Sequence, residues 1–342
     1  MYADKKALQR RQAKYKTGEL RTIAFDVTSR CDMNCHKCYA ATFVKAEPVD
    51  LESLGNAFDE LHSLGVFHYV LQGGEPILDP ERLEKIIKMI YPDETYINVV
   101  SNGWGMTVDK IRWLKSLKID KIALSLDSGI EEEHDFGRLP GSYKKVITAV
   151  DNVLAEGLIA SVSVVVTHDS LMSEGFKKVY EFAAAKKIRV DVQIAEPVGN
   201  WDGKREFLIT PSDSAYIKKL HLNSQVLPNG QRIINRDIYC GEFNHCPAGV
   251  EFMSISVDGN FLPCNFLQFS LGNIKERFVK QMREELLRSE WFDGKHPICL
   301  CGEDPNFIDK FIIPYIGQKK PLCAQEIFNI EKEDYCEKIR RI

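Results

Sequence analysis

Six short apolar segments alternate with helical patterns over residues 22–197, and this alternation restricts the possible folds more than any other feature. The segments are rich in β-branched residues and span Ile23–Val27, Val66–Leu71, Tyr96–Val100, Lys121–Leu126, Ser161–Thr167 and Val190–Ala195. Strand–helix units in series favour a parallel sheet with helices on its outside. Six units are too few for a closed eight-stranded barrel, so we predict an α/β fold, a partial (β/α)6 TIM-like barrel.

Local capping signals support this reading. Asp79 is suited to cap a helix with Pro80 at its first position, and apolar residues follow at i, i+3, i+4 and i+7. Ser142 is predicted to cap a second helix, which Gly157 ends. Later in the chain, apolar residues alternate up to Asp258-Gly259, which predicts a β-hairpin.

Composition and charge argue against several classes of function. The 342 residues carry a net charge of −4, which gives no reason to expect nucleic-acid binding. No apolar run approaches the length of a membrane span, and Met1–Leu20 lacks the apolar core of a signal peptide. We therefore expect a cytoplasmic protein that has no membrane partner.

The ten cysteines divide the chain into two modules. In a reducing compartment, clustered cysteines are more often metal ligands or catalytic groups than disulfides. The first set is Cys31, Cys35 and Cys38, and the second is Cys240, Cys246, Cys264, Cys299, Cys301, Cys323 and Cys336. We predict a basic extension at 1–21, a core domain at 22–197, a linker at 198–239 and a cysteine-rich domain at 240–342. The extension is either a solvated helix or a docking site for an acidic partner such as an electron-donor protein.

Polar motifs follow the predicted strands at the carboxyl ends, where the chemistry of such sheets gathers. The C-x3-C-x2-C loop follows the first strand, Gln72-Gly73-Gly74-Glu75-Pro76 the second, and Ser101-Asn102-Gly103 the third. Three thiolates are one fewer than a closed four-coordinate site needs, so one metal position stays open for a substrate or cofactor. Zinc with a distant fourth ligand is the simpler alternative, and the glycines taken alone fit an ordinary turn.

In combination, these motifs resemble those of the radical SAM enzymes. The resemblance implies that the three cysteines hold a 4Fe-4S cluster and that S-adenosylmethionine (SAM) occupies the fourth iron. It further implies that one electron breaks a C–S bond of SAM, and that the resulting 5′-deoxyadenosyl radical removes a hydrogen atom from the substrate. An electron donor of flavodoxin or ferredoxin type is the implied partner.

The resemblance also assigns the residues that contact SAM. Glu75 would bind the SAM ammonium, and Arg138 would pair with its carboxylate through a fork of guanidinium donors. The implied SAM site consists of Gln72, Gly73, Gly74, Glu75, Ser101, Asn102, Ser125 and Arg138. One departure is visible, because the family often has an aromatic residue just before the third cysteine, where this chain has Lys37.

The second cysteine set resembles the SPASM and Twitch extensions of radical SAM enzymes, which bind two auxiliary iron–sulfur clusters or one. The interval from Cys246 to Cys264, with Gly259 between them, fits the hairpin of these extensions. The later cysteines are sparser than in a full SPASM domain, so we predict one auxiliary 4Fe-4S cluster, with two as the alternative. Its predicted ligands are Cys246, Cys264, Cys299 and Cys301, with Cys240 as an alternative ligand. Zinc at the same cysteines is the competing reading.

Cys323 and Cys336 are left without a metal role in this scheme. They fit buried apolar positions. The alternative is that either donates a hydrogen atom to a substrate radical, as in radical SAM epimerases.

Two substrate classes remain open at this point. We predict a small polar metabolite (a sugar, aminocyclitol or nucleotide derivative), with the auxiliary cluster aiding oxidation or binding. The alternative is a ribosomal peptide that is crosslinked, epimerised or oxidised, and a zinc-binding interaction protein is the non-enzymatic alternative. Sulfatase maturation fits poorly, because that branch has an aspartate base where this chain has Asn265. Candidates for contacting the substrate are Glu196, Asn200, Trp201 and Asn265.

Overall fold

The structure is a computed structural model that describes residues 5–43, 46–237 and 245–330. Its strands are β1 (Thr22–Thr28), β2 (His68–Gly73), β3 (Tyr96–Ser101), β4 (Lys121–Ser125), β5 (Ile159–Val166), β6 (Arg189–Ile194), β7 (Ile234–Arg236), β8 (Phe252–Ile255), β9 (Phe261–Leu262), β10 (Phe269–Ser270) and β11 (Leu322–Cys323). Its α-helices are α1 (Lys6–Lys14), α2 (Leu51–Ser63), α3 (Pro80–Met89), α4 (Val108–Ser116), α5 (Glu131–Gly137), α6 (Ser142–Ala155), α7 (His168–Leu171), α8 (Glu174–Lys186), α9 (Pro211–Asn223), α10 (Val279–Leu286), α11 (Pro305–Phe307) and α12 (Ala324–Ile327). None of these helices has both the length and the apolar character needed to cross a bilayer.

Nine strands form one sheet in the order β7-β6-β5-β4-β3-β2-β1-β8-β9. All six segments predicted to be strands are strands, and β1 to β6 pair in parallel with their neighbours in chain order. This arrangement confirms the predicted α/β fold with a parallel sheet. It places the carboxyl ends of these six strands, and the motifs that follow them, at one edge.

The sheet continues past both edges of the predicted core. Strand β7, from the segment predicted to be a linker, pairs in parallel with β6, and α9 lies in the same segment. Strand β8 pairs in parallel with β1, and β9 returns antiparallel to it. The predicted hairpin is therefore present, with Gly259 in its turn at φ +89°. It attaches the second cysteine module directly to the strand that leads to the first cysteines.

The helix caps agree with the sequence at one site and differ at another. The Asp79 side chain accepts a hydrogen bond from the Arg82 amide at the start of α3, as predicted. Ser142, predicted to cap α6, is instead its first residue. The Asp135 carboxylate takes the capping role, because it accepts hydrogen bonds from the amides of Gly141 at 2.6 Å and Tyr143 at 2.8 Å.

The basic extension is partly folded against the amino-terminal end of the barrel. Lys5, just before α1, is buried, and its Nζ donates to Asp120 Oδ2 at 2.5 Å and to the Thr95 carbonyl at 2.9 Å. Arg11 on α1 donates to the carbonyl oxygens of His62 at 2.7 Å and Val66 at 3.0 Å. Lys5 and Arg11 thus hold α1 against the barrel. The prediction of a solvated helix applies only to the other basic residues of the extension.

Candidate active site

A cavity of about 860 Å³ runs through the barrel, from α1 to the loops at the carboxyl ends of the strands. Cys31, Cys35 and Cys38 all line it. The SAM-site residues that line the same cavity are Gln72, Gly73, Gly74, Ser101, Asn102, Ser125 and Arg138. The structure therefore brings the first cysteine set and most of the predicted SAM contacts to one space.

The two glycines after β2 allow their loop to lie directly against the segment that leads to Cys31. The Gly74 amide donates to the Thr28 carbonyl at 2.8 Å, and the Glu75 amide donates to the Arg30 carbonyl at 2.7 Å. A Cβ at Gly74 would lie 2.1 Å from the Arg30 carbonyl oxygen. A Cβ at Gly73, where φ is +125°, would lie 2.7 Å from the Thr28 carbonyl oxygen. Only glycine fits this close contact between backbones.

Glu75 is a buried carboxyl group with one oxygen left for a ligand. Its Oε2 accepts a hydrogen bond from the Asn102 amide at 2.7 Å, whereas its Oε1 is buried with no partner among the described residues. Burial raises the pKa of Glu75 to about 7, although hydrogen bonds from Asn102 and Ser101 oppose this rise. A buried acceptor of this kind suits a cationic ligand such as the SAM ammonium, because a cation would stabilise its charged form.

Asn102 joins this carboxyl group to the cysteine loop. Its Nδ2 donates to Asp32 Oδ1 at 2.7 Å and lies 4.0 Å from Cys31 Sγ. The ends of β2 and β3 and the cysteine loop are thereby fixed relative to one another.

Lys37, the departure from the family pattern, forms a charge cluster with Asp127 and Arg138. Lys37 Nζ lies 2.7 Å from Asp127 Oδ1, and Arg138 Nε donates to Asp127 Oδ2 at 2.5 Å. Arg138 Nη1 also lies 3.7 Å from Cys35 Sγ. Burial alone would raise the pKa of Asp127, but the charges of Arg138 and Lys37 outweigh it and hold that pKa well below its usual range. Asp127 thus orients the guanidinium that is predicted to bind the SAM carboxylate.

We expect Asp127→Asn to lower the free energy of unfolding by about 3 kcal/mol, because it leaves two mostly buried cations without a counter-charge. The pKa of Asp127 is depressed in the folded protein. The ionised side chain therefore contributes fully to the free energy of unfolding at pH values above its unfolded pKa of about 3.9, and this contribution is lost as the pH falls below that value. Anaerobic urea unfolding at pH 7 measures the difference. The exposed pair of Asp93 and Lys118, 2.7 Å apart, provides the control, and Asp93→Asn should cost less than about 1 kcal/mol. Equal effects of the two substitutions would contradict the assigned role.

Asn200, predicted to contact the substrate, instead supports the cysteine loop from behind. Its Nδ2 donates to the Cys35 carbonyl at 2.8 Å, and its amide donates to the Cys38 carbonyl at 3.0 Å. The preceding Gly199, at φ +61°, allows this approach, because a Cβ there would lie 2.1 Å from the Cys38 carbonyl oxygen. Of the four substrate candidates, Asn265 lines the cavity, whereas Glu196, Asn200 and Trp201 are not among its lining residues.

The second cysteine set provides four buried cysteine side chains, at Cys246, Cys264, Cys299 and Cys301. Within residues 5–43, 46–237 and 245–330, no three His, Cys, Asp or Glu side chains lie close enough to share a single metal ion, as a zinc site requires. The cysteines of a 4Fe-4S cluster each bind a different iron atom, so they do not converge on one point. The thiol chemistry of this set therefore fits a cluster.

Three cysteines remain, Cys240, Cys323 and Cys336, and the structure describes only Cys323. Cys240 and Cys336 fall outside the described residues. Cys323 is buried on β11, does not line the cavity and is disulfide-bonded. A sulfur in a disulfide carries no hydrogen atom, so a donor role for Cys323 requires the reduced form.

Asp26 is an acidic cavity residue that was not identified from the sequence. Asp26 lies in the middle of an apolar strand, and its carboxyl group lines the cavity. The signal was an acid inside the buried segment Ile23–Val27, since an ionised side chain in such a strand needs a partner or a function.

Comparison with known proteins agrees with this geometry. Residues 25–183 match the sequence profile of the radical SAM superfamily. The AdoMet-dependent heme synthase of Methanosarcina barkeri is 25% identical over 318 residues, which cover 83% of this chain and 89% of the relative. The PqqA peptide cyclase of Ruegeria pomeroyi is 24% identical, over 79% of this chain and 73% of the relative.

A solved structure shares the fold. Streptococcus suis SuiB, in its complex with the precursor peptide SuiA, has a TM-score of 0.62 at 16% identity, over 81% of this chain and 67% of that chain. Residues 25–183 are a radical SAM domain, and a cysteine-rich carboxyl-terminal part follows it.

Proposed function

We propose that this enzyme cleaves SAM reductively and uses the resulting radical to modify a peptide. The observation that carries the proposal is the shared cavity, which Cys31, Cys35 and Cys38 line together with the predicted SAM contacts. When bound, the 4Fe-4S cluster supplies one electron to the SAM sulfonium. A flavodoxin or ferredoxin type of electron donor and a cytoplasmic location remain part of the proposal.

The chain's own residues position SAM in this proposal. Glu75 Oε1, which has no hydrogen-bond partner among the described residues, accepts from the SAM ammonium, while Asn102 holds the other carboxylate oxygen. Arg138, oriented by Asp127, binds the SAM carboxylate with its remaining donors. Gly73 and Gly74 keep side-chain atoms out of the space between this loop and the cysteine loop.

The relatives favour a peptide over the small polar metabolite that the sequence suggested first. One relative is a PqqA peptide cyclase, and SuiB was solved with a precursor peptide. A cavity of about 860 Å³ is large enough for SAM together with a substrate side chain. We therefore propose the alternative substrate class, a peptide that is crosslinked, epimerised or oxidised.

Substrate-dependent formation of 5′-deoxyadenosine tests this proposal. The reconstituted enzyme, SAM and a reductant are incubated under argon with synthetic peptides encoded by short reading frames beside its gene. We expect a peptide to raise 5′-deoxyadenosine formation above the substrate-free rate and to change in mass. No response to any peptide, together with a response to a sugar or aminocyclitol, would contradict the peptide assignment.

Heme synthesis is the second candidate, because the heme-synthase relative matches over 83% of this chain and 89% of its own length. The same assay separates the two candidates when an iron porphyrin with carboxylate side chains replaces the peptides. A mass loss from the porphyrin, with no change in any peptide, would favour heme synthesis.

We further propose that Cys246, Cys264, Cys299 and Cys301 hold one auxiliary 4Fe-4S cluster. All four thiols are buried, and the amide of Cys299 donates to Glu303 Oε2 at 2.9 Å, which fixes that loop. Glu303 in turn forms a buried ion pair with Arg236 on β7. The second module is thus tied to both edges of the barrel sheet.

We expect anaerobic iron analysis to give about eight iron atoms per chain, four for each cluster. Cys264→Ala should reduce the count towards about four, because it removes a ligand of the auxiliary cluster alone. About twelve iron atoms in the unsubstituted chain would mean two auxiliary clusters instead. Bound zinc at the second set would refute the cluster assignment.

A further inference from the structure

A carboxylate that forms no ion pair with any described cation lies in the cavity wall. Asp26 is on β1 and is 3% exposed. Its Oδ1 accepts hydrogen bonds from Tyr39 Oη at 2.8 Å and from Gln72 Nε2 at 3.2 Å. Both donors are neutral. Within the described ranges, no Lys, Arg or His forms an ion pair with this carboxylate.

Two other buried acids in the barrel have a cation from the chain itself. Asp120 pairs with Lys5 at 2.5 Å, and Asp191 pairs with Lys121 at 2.6 Å. An unpaired buried charge is costly, so the absence of such a partner at Asp26 requires a reason. Its place on the cavity wall indicates that the partner comes with a ligand.

The electrostatic environment of Asp26 agrees with this reading. Burial raises the pKa of Asp26 to about 6, the charge of Asp258 adds to the rise, and the hydrogen bonds from Tyr39 and Gln72 oppose it. Lys37 and Arg138 line the same cavity, and both are paired with Asp127. A ligand cation would favour the ionised carboxylate.

The surroundings of Asp26 connect both cysteine modules. Tyr39 follows Cys38 directly, and its ring packs edge-on against Phe266 with ring centroids 5.5 Å apart. Asn265, between Cys264 and Phe266, lines the same cavity and is buried, and its Nδ2 has no partner among the described residues. The cavity that Cys31, Cys35 and Cys38 line thus also contains a carboxylate acceptor at Asp26 and, at Asn265, an amide donor without a partner among the described residues.

We infer that Asp26 binds a basic side chain, lysine or arginine, of the substrate peptide, and that Asn265 Nδ2 donates to a carbonyl oxygen of the same peptide. This inference rests on the proposed function, since it specifies the peptide that the enzyme takes. Oδ2 of Asp26 receives the cation, while Tyr39 and Gln72 hold Oδ1. The two contacts place a residue near the basic one within reach of the radical.

Affinity selection with a random heptapeptide library tests the inference. Reconstituted, immobilised enzyme with SAM is exposed to the library, and the retained peptides are sequenced. We expect the unsubstituted enzyme to enrich Lys and Arg, and Asp26→Asn to weaken binding of these peptides about tenfold or more. Asp120→Asn is the matched control, because Asp120 is buried and lines the same cavity at its other end. It should retain the basic enrichment.

Stability measurements separate ligand binding from a structural role. Asp26→Asn removes an unpaired buried charge, so its urea midpoint should equal or exceed that of the unsubstituted protein. Asp120→Asn breaks the pair with Lys5, so its midpoint should fall. A fall for Asp26→Asn would assign Asp26 a structural role and overturn the inference.

Other outcomes also overturn the inference. Peptides retained without enrichment of basic residues, or with enrichment that survives Asp26→Asn, refute the role of Asp26 alone and leave the peptide function intact. Retention of no peptide refutes the peptide function and the inference together. Loss of SAM binding by Asp26→Asn would place Asp26 in the SAM site.

Discussion

Replacement of Cys31, Cys35 and Cys38 with alanine is expected to abolish reductive SAM cleavage while iron remains bound at the second cysteine set. The three thiols are the only cysteines among the lining residues of the described cavity, and they share it with the SAM contacts. Without them no cluster can bind beside SAM, so 5′-deoxyadenosine should fall to the level of a protein-free control. Mass spectrometry of the nucleoside and iron analysis of the same sample measure both effects.

The retained iron is the internal control for that experiment. About four iron atoms per chain should remain, because Cys246, Cys264, Cys299 and Cys301 do not line the cavity of the first set. Loss of all iron would contradict the two-module account. Continued SAM cleavage would contradict the assignment of the first set.

Gly74→Ala should have the second largest effect. The new Cβ would lie 2.1 Å from the Arg30 carbonyl oxygen, and both partners are backbone, so the loop or the cysteine segment must move. We expect the free energy of unfolding to fall by about 3 kcal/mol. A displacement of about 1 Å at the site should also reduce SAM cleavage about a hundredfold.

Gly55→Ala is the matched control for this substitution. Gly55 lies within α2, and a Cβ there would meet no atom within 4 Å. Alanine in a helix is favoured over glycine by about 0.5–1 kcal/mol, so this variant should be slightly more stable. Equal loss of activity in both variants would show that the loop contact is not responsible.

Strands and helix caps that follow from local sequence patterns could be predicted, whereas strand pairings between distant parts of the chain could not. All six predicted strands are present, because alternating apolar segments and caps such as Asp79 are local signals. The pairing of β8 with β1 joins residues far apart in the chain, and no local pattern reports it. For this reason the second module appears in the sequence as a separate domain, whereas its hairpin belongs to the barrel sheet.

The same distinction holds within the site. The glycine motif after β2 was recognisable because its residues are consecutive. The ion pair of Lys37 with Asp127 joins residues ninety positions apart, so Lys37 looked like a simple departure from the family pattern. Likewise, the capping of α6 by Asp135 required the backbone geometry of the intervening turn, which the sequence alone does not show.

The central claim is that the chain forms a radical from SAM at the cavity lined by Cys31, Cys35 and Cys38. The most direct test is to incubate the anaerobically reconstituted protein with SAM and dithionite and to measure 5′-deoxyadenosine by mass spectrometry. We predict formation of 5′-deoxyadenosine that requires the protein, the reductant and all three cysteines. A protein with full iron content that forms no 5′-deoxyadenosine, with or without peptide, would contradict the account.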